Sequence, residues 1–491
     1  MTKVKRPVSI DPIGRYRELL SGDELAALKV SLLNPPPTAI RFNPLKTDAQ
    51  CMALEFQEKQ GWPLQPVPFC ADGFTLTGPG IFPGRTLESR LGYFYIQDAA
   101  SMLPVELFEP GENSFPLILD LTAAPGGKST HLASRFEDKG LLIANDGTAS
   151  RIPALTSTLK TWGAVNCCVT NLPGEKIGTW FPETFDYVLL DAPCSMENLH
   201  PGGDRGKREI KPSERVRLAQ RQTQLLVSAI QACKIGGQIV YSTCTLAPEE
   251  DEGVLDAVLR QIPGSMEISA SGERMGISAP GLTSAYDVPF SKETAKSLRL
   301  WPFRLGTSGF FSAHLRKTGP VNDHFSSHPI LPHRRGKLIP LPPSEADHLR
   351  TEFLTKFGFD LKPLLDDHKL ELMQFHQSVY AVPQILKTKF IGLPFVSSGL
   401  RVGDYSVAGF EVSLEWATRF GHRFNEGVFI VPFELYPRWA KGEDLPPEFS
   451  PLLEKGSVVA IKDENSRIIG TGRISNRGIK NLLPRHLVLK S

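Results

Sequence analysis

The sequence predicts an α/β protein built on a doubly wound, largely parallel sheet, and two observations lead there. Between residues 115 and 315, short apolar runs alternate with longer mixed or amphipathic stretches of helix length, the rhythm of strands joined by crossover helices. One of those runs ends in a turn of small residues that opens a helix-like segment. That arrangement cradles ligands at the carboxyl end of such a sheet.

The elements follow in chain order. Residues 1–110 are mixed, punctuated by Pro35–Pro37 and Pro44 and closing on GYFYIQDAASMLP. The strand-like runs are then PLILDL (116–121), GLLIAND (140–146), NCCVTNL (166–172), FDYVLLDAP (185–193) and GGQIVYSTC (236–244), with GFFSAHL (309–315) ending the block. Cys167 and Cys168 fall within a strand and Cys233 in an amphipathic helix, where a thiol is ordinarily a small buried hydrophobe. Residues 318–335 have the Pro, Ser and His content of a linker, and 336–410 form a small mixed segment. Beyond residue 411, VFIVPF, SVVAIK and RIIGTGRI read as strands of a compact β-rich module.

Composition narrows the classes. Of 491 residues, 41% are hydrophobic and 22% charged, so a packed core is feasible and global disorder is excluded. The 55 Lys and Arg against 53 Asp and Glu leave a net charge of +2, which is no polycation. No run approaches the roughly 18 apolar residues of a membrane span, and the first twenty residues have no signal-peptide core. Seven cysteines without a CxxC pair or a Cys/His cluster argue against zinc and disulfides; no metal is expected, and a reduced cytoplasmic setting is.

The strongest local signal is Asp120-Leu121-Thr122-Ala123-Ala124-Pro125-Gly126-Gly127-Lys128-Ser129. Gly126 and Gly127 let a ligand approach the backbone, and the helix that follows favours an anionic group. The spacing is neither GxGxxG nor that of a phosphate-binding loop. Asp146, at the end of the next strand-like run, is placed to accept hydrogen bonds from ribose hydroxyls. A ribose acid without a phosphate cradle suggests an adenosine ligand lacking pyrophosphate, such as S-adenosylmethionine. A structural turn with a helix-capping acid is the plainer alternative.

Two further strand ends each deliver a cysteine: Asp191-Ala192-Pro193-Cys194 and Ser242-Thr243-Cys244. If the two strands are neighbours, their ends lie about 4.8 Å apart, and both thiols face the ligand crevice.

The stretches DLTAAPGGKS, FDYVLLDAPCS and YSTCTLAPEEDE resemble the RNA cytosine-5 methyltransferases of the Nol/Nop/Sun type. RFNPLKT, GYFYIQDAASMLP and GFFSAHLRK extend the resemblance over about residues 35–317. IKNLLPRHLV at 479–488 is similar to the bacterial RsmF type, which acts on small-subunit ribosomal RNA and carries a PUA-like terminal module. The resemblance implies a Rossmann-like, S-adenosylmethionine-dependent core over 111–317. Around it stand an N-terminal RNA-docking region (1–110), a linker (318–335), a connecting segment (336–410) and a PUA-like module (411–491). It implies Cys244 as nucleophile and Cys194 as the group assisting proton removal and release. Asp191 then touches the cytosine edge and borders the donor, Lys128 stands at the active-site edge, and Ala123, Ala124, Pro125, Gly126, Gly127, Lys128, Ser129 and Asp146 hold the donor.

The sequence departs from that family at Met196, where a glycine is usual, and at Pro173, where an aspartate is common. A catalytically weak assembly factor and the same chemistry on transfer RNA are the rival readings.

Positive charge is concentrated locally. Residues 204–217 hold six bases against three acids, and residues 467–491 hold Arg467, Arg473, Arg477, Lys480, Arg485 and Lys490 with no acid. Such clusters bind phosphates without reading sequence, so the expected partner is RNA, with no stable protein partner inferred. Trp162, Trp301 and Trp439 have the chemistry to stack on bases, but core packing is their expected fate.

Overall fold

A computed structural model describes residues 13–78, 80–196, 210–321, 338–407, 409–447 and 455–489. Most of the expected linker, and residues 204–209 of the first basic run, lie outside the described residues. The chain divides into two compact units, one from Met1–Thr38, Asp98–Glu109 and Gly174–Ser327, the other from Ala39–Gln97, Pro110–Pro173 and His328–Ser491.

In the first unit, Phe185–Asp191 and Cys233–Thr243 run parallel with Asp191 opposite Ser242. Phe310–Lys317 pairs antiparallel with Cys233–Thr243 and carries Met266–Ile268 and Leu298–Leu300 in turn. Val188, Leu189 and Leu190 are fully buried, the continuous apolar run of a strand covered on both faces. The helix Pro212–Ala232 opens on a proline, which costs nothing where no intrahelical donor is needed, and buries Gln222, Leu225, Leu226, Ala229 and Ile230. Cys233 corrects the expectation of a helical thiol. It begins the strand, in extended conformation, because pairing with Phe185 buries it as well as a further helical turn would.

The second unit holds the parallel strands Leu117–Asp120, Leu141–Asn145 and Cys167–Thr170. Phe395–Ser398, from the connecting segment, pairs antiparallel with Cys167–Thr170 and covers a strand edge that is otherwise open to association. A small C-terminal sheet is built from Val428–Ile430, Val458–Lys462, Ile468–Ser475 and Gly478–Asn481. Its Trp439, Ile461 and Ile469 share one core with Phe42, Phe56, Trp62 and Phe94 near the N-terminus. Packing therefore crosses the expected boundaries at 110 and 410.

Trp162, Trp301 and Trp439 are all buried, as core packing required. Two bases of RFNPLKT are also internal. Arg41 donates to Gly127 O at 3.1 Å and Thr130 Oγ1 at 2.7 Å and lies over the Trp162 ring. Lys46 donates to Leu91 O and Thr161 O, both at 2.7 Å. Among the described residues, no helix is long and apolar enough to cross a membrane.

Candidate active site

The first unit brings the two predicted strand-end cysteines together. Parallel pairing carries Asp191 and Ser242 to the same level, and Ser242 Oγ donates to Asp191 Oδ1 at 2.8 Å. Just beyond, Cys194 Sγ and Cys244 Sγ lie 3.2 Å apart, half-buried. Ser195 Oγ donates to Thr245 Oγ1 at 3.1 Å, tying the turn after one thiol to the turn after the other. The hydrogen bond to Cys244, burial and the nearby Glu250 carboxylate together push the Cys194 thiol well above its ordinary range. In the resting pair Cys194 therefore keeps its proton, with the Cys244 sulfur in hydrogen-bond contact.

Three other thiols lie outside the pair. Cys167, Cys168 and Cys233 are fully buried, and burial raises all three, Cys233 to about 12. A thiol held protonated in an apolar setting is inert. Among the described residues no cysteine forms a disulfide.

Beneath the pair lies a network that the sequence did not disclose. Glu250, Asp251 and Glu252 are three consecutive acids, and all three are fully buried. Asp251 Oδ1 accepts from Thr243 Oγ1 at 2.6 Å, one residue before Cys244. Arg299, itself fully buried, bridges Asp251 and Glu252 and donates to Leu246 O at 2.8 Å. Glu250 Oε2 accepts from Ser195 N and from Gln222 Nε2, both at 2.9 Å. The only hint in the sequence was proximity, since Glu250 follows Cys244 by six residues; nothing marked Gln222.

Met196 adopts a left-handed backbone, φ 51°, a conformation that a glycine takes without steric cost. The substitution noticed in the sequence thus sits where the backbone itself favours glycine.

The second unit carries the loop. Gly126 has φ 111°, and a Cβ on Gly127 would stand 2.8 Å from Tyr95 Cε1, so both positions require glycine. Ser129 is buried and its hydroxyl donates to Asp120 Oδ2 at 2.6 Å. That side chain braces the loop from inside. Ala123 and Ala124 are buried, Pro125 is exposed, and Lys128 is half-buried. Asp146 accepts from Ala124 N at 3.2 Å and Thr148 N at 2.8 Å, and Arg151 Nη1 lies 3.2 Å from its Oδ2. Arg151 also donates to Ala124 O and so clips the loop to the next strand end, a role no motif in the sequence signalled. Bare glycine backbone beside a carboxylate fixed at the following strand end fits an adenosyl ligand of the expected kind.

Two bases of the C-terminal cluster are corrected. Arg467 is buried against Asp463, Glu55 and Glu88, and Arg473 pairs with Glu411 at 2.8 Å. Folding pairs Arg467 with Glu55 and Glu88, remote in sequence, besides the nearby Asp463, and Arg473 with the half-buried Glu411. Arg477, Lys480 and Arg485 are exposed.

Residues 105–316 match the family described as 16S rRNA methyltransferase RsmB/F. Residues 11–99 match the N-terminal domain of 16S rRNA methyltransferase RsmF. The chain is 32% identical over 457 residues to a ribosomal RNA small subunit methyltransferase F of Vibrio vulnificus, covering 92% of each chain. It is 31% identical over 473 residues to the enzyme of the same name from Aliivibrio fischeri, covering 96% of this chain and 94% of that one. A crystal structure of a methyltransferase homolog protein from Pyrococcus horikoshii is similar with a TM-score of 0.53 at 31% identity, over 62% of this chain and 93% of that one.

Proposed function

Because this chain belongs to the RsmB/F family of 16S ribosomal RNA methyltransferases, we propose that it methylates carbon 5 of a cytosine in small-subunit ribosomal RNA. The reaction runs through a covalent adduct on Cys244. The observation that carries this reading is the pair of thiols 3.2 Å apart at neighbouring parallel strand ends. A single thiol suffices for a structural role; two in contact suit chemistry that needs a nucleophile and a proton carrier.

Carbon 5 of cytosine is a weak nucleophile. Addition of the Cys244 thiolate at carbon 6 pushes electron density onto carbon 5 and divides one difficult step into easier ones. Ala123–Ser129 and Asp146 would hold S-adenosylmethionine, which would supply the electrophilic methyl group. Asp191, oriented by Ser242, would meet the Watson–Crick edge of the base. Cys194 then serves removal of the carbon 5 proton, which frees Cys244.

The same reading assigns residues 1–110 and a PUA-like module at 411–491 to RNA docking, with Arg477, Lys480 and Arg485 facing phosphate, in a cytoplasmic enzyme. Small-subunit RNA is favoured over transfer RNA because both full-length relatives carry that substrate in their names.

The test is adduct trapping. Cys194→Ala, incubated with labelled donor and small ribosomal subunits from a strain lacking this gene, should yield a protein–RNA complex that survives denaturation. Cys244→Ala should yield neither complex nor methylated cytosine. Methylation by Cys244→Ala with no complex from Cys194→Ala would overturn the assignment.

A further inference from the structure

Buried carboxylates are costly unless hydrogen bonds or opposite charges compensate them, so where each spends its acceptors is informative. Asp251 and Glu252 share Arg299. Glu250 is used differently. Its Oε2 takes the backbone N–H of Ser195 and the side-chain amide of Gln222. Gln222 Nε2 also donates to Pro193 O at 3.0 Å. The carbonyl before Cys194 and the N–H after it are thus held by one fully buried Glu–Gln pair. Tyr241 Oη in turn donates to the Glu250 carbonyl and pins the backbone that carries the acid. Gln222 is anchored from a different element, the helix Pro212–Ala232.

We infer that Glu250 and Gln222 are positioning residues for Cys194, holding its sulfur where it takes the carbon 5 proton in the release step. The inference rests on the covalent reading above. The arrangement serves Cys194 rather than Cys244, whose strand end is held separately through Thr243 and Asp251.

Once Cys244 is a thioether, the proton Cys194 held in the resting pair goes to water. The Cys194 thiolate then takes the carbon 5 proton. The C5–H electron pair becomes the C5=C6 bond, and the S–C6 pair returns to Cys244. The resting pair is restored, with one proton released per methyl group. Proton transfer of this kind needs donor and acceptor within hydrogen-bond reach, and a displacement near 1 Å costs roughly a hundredfold.

The experiment compares Glu250→Ala, Glu250→Gln and Gln222→Ala with the wild type and Cys194→Ala, in full-length protein with labelled donor. The substrate is small ribosomal subunits from a strain lacking this gene. Denaturation-resistant complex and free methylated cytosine are counted separately, and melting temperature is followed. Glu250→Ala and Gln222→Ala should slow release about tenfold or more while complex accumulates. Glu250→Gln keeps an oxygen able to accept both hydrogen bonds and should restore release to within about threefold of wild type.

The inference is overturned if Glu250→Ala loses complex and product in equal proportion, or releases at the wild-type rate. It is equally overturned if Glu250→Gln stalls as Ala does, since charge and not position would then be the cause. If Glu250→Ala does not fold, Gln222→Ala decides by the same two readouts. Absence of complex with Cys194→Ala marks failure of the covalent reading itself, and the two failures are thereby told apart.

Discussion

Replacing Arg299 by methionine should unfold the support beneath the thiols, and the size of the effect follows from its surroundings. Arg299 is fully buried, as are Asp251 and Glu252 beside it. Removing one partner of a buried ion pair costs about 3–5 kcal/mol, because the charge left behind is uncompensated; here two carboxylates lose the same cation. Burial already raises the Asp251 carboxyl well above its usual range, and Arg299 is what opposes that rise. In the variant the folded state therefore binds protons more tightly than the unfolded chain does. Stability tied to a raised carboxyl is fully present below the unfolded value and is lost as pH climbs through the folded one. Arg299→Met should thus lie closer to wild type near pH 5 than near pH 8 in urea unfolding. Adduct formation should fall with it, since Asp251 anchors Thr243 next to Cys244. A loss below about 1 kcal/mol at pH 8, or a variant whose deficit shrinks as pH rises, would refute the reasoning.

Four further outcomes are expected. Gly127→Ala forces a Cβ to 2.8 Å from Tyr95 and should weaken donor binding about fivefold to a hundredfold by calorimetry, the equivalent of the usual 1–3 kcal/mol for overpacking; unchanged affinity would mean that the loop is not the donor site. Arg467→Ala should lower the melting temperature yet leave the salt dependence of RNA binding unaltered, because its charge is spent on Asp463, Glu55 and Glu88. Alanine at exposed Arg477 and Lys480 should instead weaken RNA binding without sequence preference and reduce the salt slope by about one for each phosphate left without its cation. Met196→Gly should stabilise the Cys194 loop by about 1 kcal/mol in thermal unfolding, since its φ of 51° is strained for any side chain.

Several features were legible from residues alone. The runs ending at Asp120, Asn145, Thr170, Asp191 and Thr243 became strands, because burial on both faces demands unbroken apolar sequence. The glycines of the loop and the two cysteines stand at those ends for reasons written within ten residues of each. Charge was read less well. Arg467, Arg473 and the acids Glu250–Glu252 carry the same side chains as solvated residues, and their partners lie up to hundreds of positions away in the chain.

Short-range pattern was therefore enough for the strand type, for the glycine loop and for a cysteine at each of two strand ends, because alternation, turn chemistry and burial act between near neighbours. Which thiols lie in contact, which carboxylate steadies which turn and which arginines are spent on acids were settled by folding. Electrostatic energy and hydrogen bonding depend on distances of a few ångströms and on exclusion of water, and neither exists until segments remote in sequence have packed.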